Sequence, residues 1–542
     1  MSKQLWDTLL VNARIHSMDR EGERFAAMAI RDGRIDAVFP EAPAPTLVHG
    51  ARTVVDCGGR TVLPGLIDAH VHFLAASVLG VAALRVSDLQ PPLKEMTLAG
   101  FAAKVRAYAA SLPTNRPVFC FNYVIDTVAE KRLPKRAELD AWLPGRQVMV
   151  MSMDGHSSSY SSRALHRLGL AAEHADGVLN GARHELSMGK VNALMASSVS
   201  IAMLCRGIQA TVNEALEQGI VCLHCLEGFE DSPRDPSLWM LSHSGGILPV
   251  DLRLYVQYRD PRRAAPYRRF LRAPRIGGCF GWAMDGSVSS GTAAFDEPYR
   301  SDPSNRGRLY FTPEEAAALV RRADEAGCQI ACHAIGTRAI EVLLSAYEQV
   351  LEGKTGNPLR HRIDHFEFPT ADQVRRAVDR GLAFVAQPGF AWMDEKYVSC
   401  YRRQLSDEQY ARQLPLRSLT EAGAVVAGSS DYPAGLLSPW VQMQGMVEHP
   451  LPEQSIGFYD ALRTYAWNAA WVTGEEGERG TLLPGRKADF LVMQDDPFAL
   501  PRESIHEARV RGTYINGRKA APMAMSTAGF LLRALAGRHK KI

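Results

Sequence analysis

The chain has 542 residues, of which 46% are apolar and 22% charged, and 62 Lys+Arg against 59 Asp+Glu leave a formal charge of +3. Such a composition supplies a large core and excludes a disordered chain; the near-balanced charge excludes bulk attraction to a polyanion, so no nucleic-acid partner is expected. No run of about 18 apolar residues occurs and the opening MSKQLWDTLLVNARI lacks a signal-type apolar segment, so no membrane contact is expected. Nine cysteines, an odd number scattered from Cys57 to Cys400, fit reduced thiols and a cytoplasmic protein better than a disulfide framework. Cys222 and Cys225 form a CxxC, but no second pair follows at zinc-ribbon spacing, and GIVCLHCL reads as a buried strand with His224 in its interior.

In chain order, TLLVNARI and FAAMAIRDGRIDAVF are short strand patterns, and Asp32-Gly33 between them is a hairpin signal. From Thr61 the rhythm changes. TVLPGLIDAHVHF is an apolar strand ending in polar residues, and a lobe of about 75–215 follows, with helices expected at Leu98–Ser111 and Ser187–Ser200. Seven further strands, VCLHCL, LRLYVQYR, FGWAMDG, CQIACHAIG, RIDHFEF, LAFVAQPG and AVVAGSSDYP, then alternate with helices such as Thr312–Ala326, Arg338–Leu351 and Ala371–Arg380. Eight near-continuously apolar strands alternating with helices predict an α/β fold, a (β/α)8 TIM barrel with its functional groups at the strand C-terminal ends. After Trp471 the β pattern returns in GTLLPGRKADFLVMQ and ARVRGTYINGRKA. The expected domains are therefore a composite β-sandwich from 1–60 and 472–525, a barrel over 61–471 carrying the lobe after its first strand, and a basic, solvated C-terminal tail over 526–542.

Chemistry gathers at the strand ends. His70 and His72 are two apart on one strand, so both imidazoles leave from the same face. His333 and His365 end neighbouring strands 32 residues apart, and Asp431 ends the last one. Imidazoles plus one carboxylate on one barrel face suit a borderline divalent ion. Its charge would lower the pKa of bound water to about 7, and Asp431 is placed to move the proton.

PGLIDAHVHF, DGH at Asp154–His156, DGS at Asp285–Ser287, HAIG, RIDH, SSDYP and LLPGRKADFLV, in this order, resemble the amidohydrolase superfamily. The chain is most similar to its amidohydrolase-3 or YtcJ-like branch, which includes N-substituted formamide deformylases. The resemblance implies a metal-dependent hydrolase of non-peptide carbon–nitrogen bonds acting on a small molecule, with a linear amide or N-substituted formamide as the leading substrate. A one-metal deaminase or cyclic-amide hydrolase and a non-catalytic scaffold are the alternatives, and a homodimer is the candidate assembly.

Where many members of the branch carry a bridging carboxylated lysine, four residues before the DG aspartate, this chain has Gly281. The expectation is therefore a single Zn2+, with Fe2+ or Mn2+ as alternatives, held by His70, His72, His333 and Asp431. Cys279, Asp285, Glu227 and Cys225 are the residues that could substitute for the missing bridge. His365 is expected to hydrogen-bond the water or substrate, and His156 to polarise the carbonyl or serve the lobe structurally. Trp282, Asp285 and Tyr432 are candidate substrate contacts.

Overall fold

The computed structural model describes residues 6–170, 175–228, 236–536 and 541–542. Its centre is an eight-stranded parallel sheet in which each strand pairs with the next in sequence: β1 Leu66–Val71, β2 Ile220–Glu227, β3 Asp251–Val256, β4 Arg275–Gly278, β5 Gln329–Ala334, β6 Arg362–His365, β7 Ala383–Ala386 and β8 Val426–Gly428. Every residue of these strands is buried, as expected for a parallel sheet covered on both faces. The ring closes just beyond β8, where Asp431 N–H donates to the His70 carbonyl (2.9 Å) and His72 N–H to the Tyr432 carbonyl (2.8 Å). Buried Asp68 on β1 reinforces that seam by accepting from Ser430 N–H at 3.0 Å.

Two strands differ from the sequence reading. The apolar run from Thr61 is two strands, because Ala51–Pro64 belongs to an outer sheet and β1 begins only at Leu66. The chain crosses between them at Gly65, where a Cβ would lie 2.6 Å from the Val221 methyls, closer than carbon atoms can pack. The fourth strand is not FGWAMDG but the preceding Arg275–Gly278, and FGWAMDG forms turns beyond it. This short strand has no apolar run because its backbone is pressed against its neighbour: a Cβ on Gly277 would meet the Ala331 carbonyl oxygen at 1.9 Å.

The outer sheet has eight strands. Those from 6–64 and those from 490–519 share it, with Phe490–Met493 antiparallel to Ala51–Pro64. The lobe carries a five-stranded sheet over 83–180 around Phe101, Val105, Tyr123 and Val148. Its expected helix Ser187–Ser200 is Gly181–Ser197; Ser200 instead caps a second helix, Ile201–Glu217, accepting from Met203 N–H. The C-terminal segment is not a solvated tail. Thr527–Ala536 is a helix burying Phe530 and Ala534, and buried Ile542 exchanges backbone hydrogen bonds with Phe270 and Arg272; Arg538 and Lys540 lie outside the described residues. No single helix among those described is long and apolar enough to cross a membrane.

At the strand N-terminal end, ion pairs tie the barrel to the segment leading into the outer sheet. Buried Arg253 of β3 pairs with Glu475 through two hydrogen bonds, and Arg479 pairs with Glu475 and with Asp251, which also takes Lys487 at 2.8 Å. Burial disfavours the Glu475 carboxylate, but the guanidinium groups of Arg253, Arg479 and Arg272 outweigh it and hold its pKa at about 2. A folded-state pKa below the unfolded value of about 4.3 means that the stabilisation is complete above pH 5 and drains away as pH falls towards 2. Glu475→Gln is therefore expected to cost about 3–5 kcal/mol at neutral pH, since it strands buried arginines. Thermal melts at pH 7 and pH 3 test this: the gap between wild type and variant should narrow sharply at pH 3, and an equal gap at both would contradict it.

Candidate metal centre

The strand C-terminal ends bring five polar side chains into one buried cluster. Nε2 of His70 and Nε2 of His72 each lie 3.3 Å from Asp431 Oδ1, which is buried and, among the described residues, accepts no hydrogen bond. The other nitrogen of each ring has a partner that fixes the tautomer. His70 Nδ1 donates to Asp364 Oδ2 (2.6 Å), itself held by Arg362 (2.8 Å), and His72 Nδ1 donates to the Leu226 carbonyl (3.2 Å). Both Nε2 lone pairs therefore face Asp431. Converging lone pairs beside an unsatisfied buried carboxylate repel one another unless a cation sits among them, so these residues fit a divalent ion.

His333 stands outside that triad. Its Nε2 donates to the Gly286 carbonyl (3.2 Å), with Asp285 Oδ1 at 3.5 Å, and its Nδ1 lone pair faces the sulfur of Cys279 at 3.7 Å. The same sulfur lies 3.5 Å from His70 Nε2 and 3.9 Å from His365 Nε2. His70, Cys279 and His365 form a second group of potential ligands beside His70, His72 and Asp431. Cys279, one of the four substitutes named for the bridge missing at Gly281, thus adjoins the first set through His70. Gln257 aims it: its Oε1 accepts from the backbone N–H of both Cys279 (2.8 Å) and Phe280 (3.0 Å). Burial alone would raise the thiol pKa, and positive charge among the imidazoles of His70, His333 and His365, whether protons on the rings or a cation between neutral rings, holds it below the ordinary value. A thiolate among imidazoles is a borderline-soft donor set, the kind zinc favours.

Backbone strain marks the same points. His365, Phe366 and Asp431 have φ of 72°, 47° and 54°, a left-handed conformation costly for residues with a Cβ. It turns the chain out of β6 and beyond β8 so that His365 and Asp431 face the barrel mouth.

A cavity of about 660 Å³ opens onto His72, Cys279, His333, His365 and Asp431 and extends beneath the lobe. His156 lines it, its ring 5.9 Å from that of His333. Asp154 clamps this loop to the barrel, accepting from the hydroxyls of Ser152, Ser287 (2.8 Å), Ser289 (2.5 Å) and Ser290 (2.6 Å). Three expected substrate contacts lie elsewhere. Trp282 is fully buried with its indole N–H on the Tyr258 carbonyl. Asp285 is spent on the backbone N–H groups of Ala294, Ile335 and Gly336. Tyr432 points away from the cavity, its hydroxyl donating to Glu214 and accepting from Arg85, both at 2.8 Å. Phe280 and Phe390 line the cavity instead. Cys222, Cys225 and His224 are buried in β2, with His224 Nδ1 3.5 Å from Arg362 Nη1 in the barrel interior.

A profile of the amidohydrolase family matches residues 53–521. The chain belongs to the amidohydrolase family. Among its relatives, an N-substituted formamide deformylase of Arthrobacter pascens is 26% identical, with 95% of this chain and 98% of that protein aligned. A putative amidohydrolase of Bacillus subtilis, YtcJ, is 25% identical over 93% of this chain and 97% of its own. A metal-dependent hydrolase of Pyrococcus furiosus, 20% identical, shares the fold with a TM-score of 0.70 over 91% of this chain and 99% of that one. This amidohydrolase is accordingly a hydrolase acting on carbon–nitrogen bonds, and its family is metal-dependent.

The Asp154 clamp gives a test of how the lobe serves this amidohydrolase's site. Asp154→Ala frees four hydroxyls and should let the His156 loop drift by about 1 Å, enough to cost about 10²-fold in kcat/KM. Metal content should be unchanged, because no cluster donor is touched; elemental analysis beside steady-state rates checks both. Wild-type rates would show that the clamp is irrelevant to turnover.

Proposed function

We propose that this amidohydrolase cleaves a linear amide, with an N-substituted formamide as the leading substrate class, at a centre built for two cations. The observation that carries the reading is the position of Cys279 Sγ, within 3.5–3.9 Å of nitrogens from His70, His333 and His365 and beside the His70–His72–Asp431 triad. His70, His72 and Asp431 would hold one cation and His333 and His365 the other, with the Cys279 thiolate between them. Two cations a few ångströms apart repel strongly, and an anion between them offsets that repulsion. This reading departs from the expectation of one ion shared by His70, His72, His333 and Asp431, and the placement of His333 Nδ1 against the sulfur supports the departure.

Divalent ions bound there acidify water and polarise a carbonyl oxygen. The remaining steps fall to side chains. Asp431 takes the proton from the attacking water and returns it to the departing nitrogen. His70 keeps its lone pair inward because Asp364 and Arg362 hold its other nitrogen. His156, on the cavity wall beside His333, is placed to donate to the carbonyl oxygen as charge develops on it. The 26% identity to the formamide deformylase supports the substrate class.

Formate and amine release from N-substituted formamides by protein loaded with Zn2+, Mn2+ or Fe2+ tests the reading. Formate with a stoichiometric amine is the expected result. Ammonia from aminated heterocycles with no formate from formamides would favour the deaminase alternative.

A further inference from the structure

The cavity is far larger than a formamide needs, and its lobe wall carries a run of apolar side chains. Phe119, Phe121, Met149 and Met151 from the lobe sheet and Met188 and Met195 from the helix Gly181–Ser197 face it opposite the barrel mouth. Unbranched methionine side chains repack around varied apolar shapes, so this wall suits a range of hydrocarbon groups.

The charged groups of the same cavity are already engaged with the protein. Away from the metal-facing cluster, the lining charges are Asp126, Lys131, Asp154, Glu367, Asp394 and Arg403. Arg403 pairs with Asp126, whose backbone carbonyl also takes the Lys131 ammonium. Asp154 accepts serine hydroxyls, and Glu367 accepts from the Tyr401 hydroxyl at 2.8 Å. Asp394 accepts from the backbone N–H groups of Cys400 (2.9 Å) and Tyr401 (3.0 Å). Lys131 and Arg403 are the lysine and arginine lining the cavity among the described residues, and both are exposed, Arg403 paired with the Asp126 carboxylate and Lys131 on a backbone carbonyl, whereas Phe119, Phe121, Met149, Met188 and Met195 are buried. A carboxylate brought in on the substrate would be buried without a partner, at a heavy cost.

We propose, building on the formamide reading, that the group on the substrate nitrogen is neutral and apolar, a long alkyl or aryl chain lying against the lobe's methionine wall, and that substrates carrying a carboxylate at that end are rejected. The lobe thus acts as the specificity element, while the barrel mouth handles the invariant amide. Amino-acid-derived amides with a free carboxylate fall outside the substrate range.

N-Alkylformamides from methyl to octyl, each with an ω-carboxyalkyl partner of equal length, test this on the metal-loaded enzyme. Expected is a rise in kcat/KM of about fourfold per methylene, and a loss of more than about 100-fold for each carboxylate partner. A flat series, or carboxylates used as well as alkyls, would overturn the apolar assignment while leaving formamide hydrolysis in place. If no formamide turns over, titration calorimetry with the same compounds decides the question by itself. Affinity climbing with chain length supports the pocket assignment although the reaction is different, and length-independent affinity overturns it. Met151→Lys, at a half-buried position that can take a charge, should shift preference towards the carboxylate partners by at least tenfold; unchanged preference in a variant with a wild-type circular dichroism spectrum counts against the wall.

Discussion

Replacing Asp431 with Asn is expected to abolish turnover while leaving the fold intact. The side chain faces Nε2 of both His70 and His72 at 3.3 Å, so it is placed both to hold a cation and to carry the proton between water and leaving group. An amide of the same shape can neither neutralise a cation nor take up a proton. Loss of both roles should cost at least about 10³-fold in kcat, and KM cannot compensate for it. The backbone should not notice. Asp431 N–H bonds to the His70 carbonyl, and the neighbouring Tyr432 carbonyl takes His72 N–H, and neither contact uses the carboxylate. A circular dichroism spectrum and melting curve close to wild type, with activity at background, is the expected pair of results. More than about a tenth of wild-type rate in the purified variant would remove Asp431 from the proton-transfer role.

The second large effect is expected at Cys279. Cys279→Ala removes the sulfur that stands within 3.5–3.9 Å of three imidazoles, and leaves a methyl group where the anion between two cations would be. Elemental analysis should fall from two equivalents in the wild-type protein to one or fewer. The activity loss should exceed the about 10–100-fold typical of losing an outer-shell partner of a metal ligand. Cys279→Ser, which keeps a weaker oxygen donor, should fall between the two. His365→Ala sharpens the test, because in the two-cation arrangement it too loses metal, whereas a one-ion site of His70, His72, His333 and Asp431 would keep its full complement. One equivalent in wild type and the same in Cys279→Ala would restore the one-ion arrangement.

The individual ligands were legible because their positions follow from local rules. Parallel strands alternate with helices at a near-constant interval, functional groups sit at strand C-terminal ends, and residues two apart share a face. Those rules place His70, His72, His333, His365 and Asp431 at one barrel mouth before any coordinate is known. Cys279 was legible only as one of four substitutes for the missing bridge, because β4 carries no apolar run. Arg275–Gly278 is a strand only because Gly277 and Gly278 let the backbone press against Ala331 and Gln257, and that closeness is a property of the packed barrel. With the strand misplaced onto FGWAMDG, nothing in the sequence singled out Cys279, the residue just after the strand, from Asp285, Glu227 and Cys225.

The sequence by itself determined the alternation of elements, the presence of β structure at both chain ends, and the identity of the donor atoms, all of which depend on neighbours a few residues away. Tertiary structure decided which way each side chain faces and what it faces. Trp282, Asp285 and Tyr432 sit within or beside the DGS and SSDYP motifs, yet each is turned onto backbone groups or onto Glu214 and Arg85. Arg253 and Glu475, 222 residues apart, meet in the barrel floor. The lobe's methionines reach the cavity only because an inserted sheet folds over the barrel mouth. Periodicity constrains a strand to within a face, but direction and partnership are set by close packing over long sequence separations, where a shift of one residue or one glycine reverses what a side chain touches.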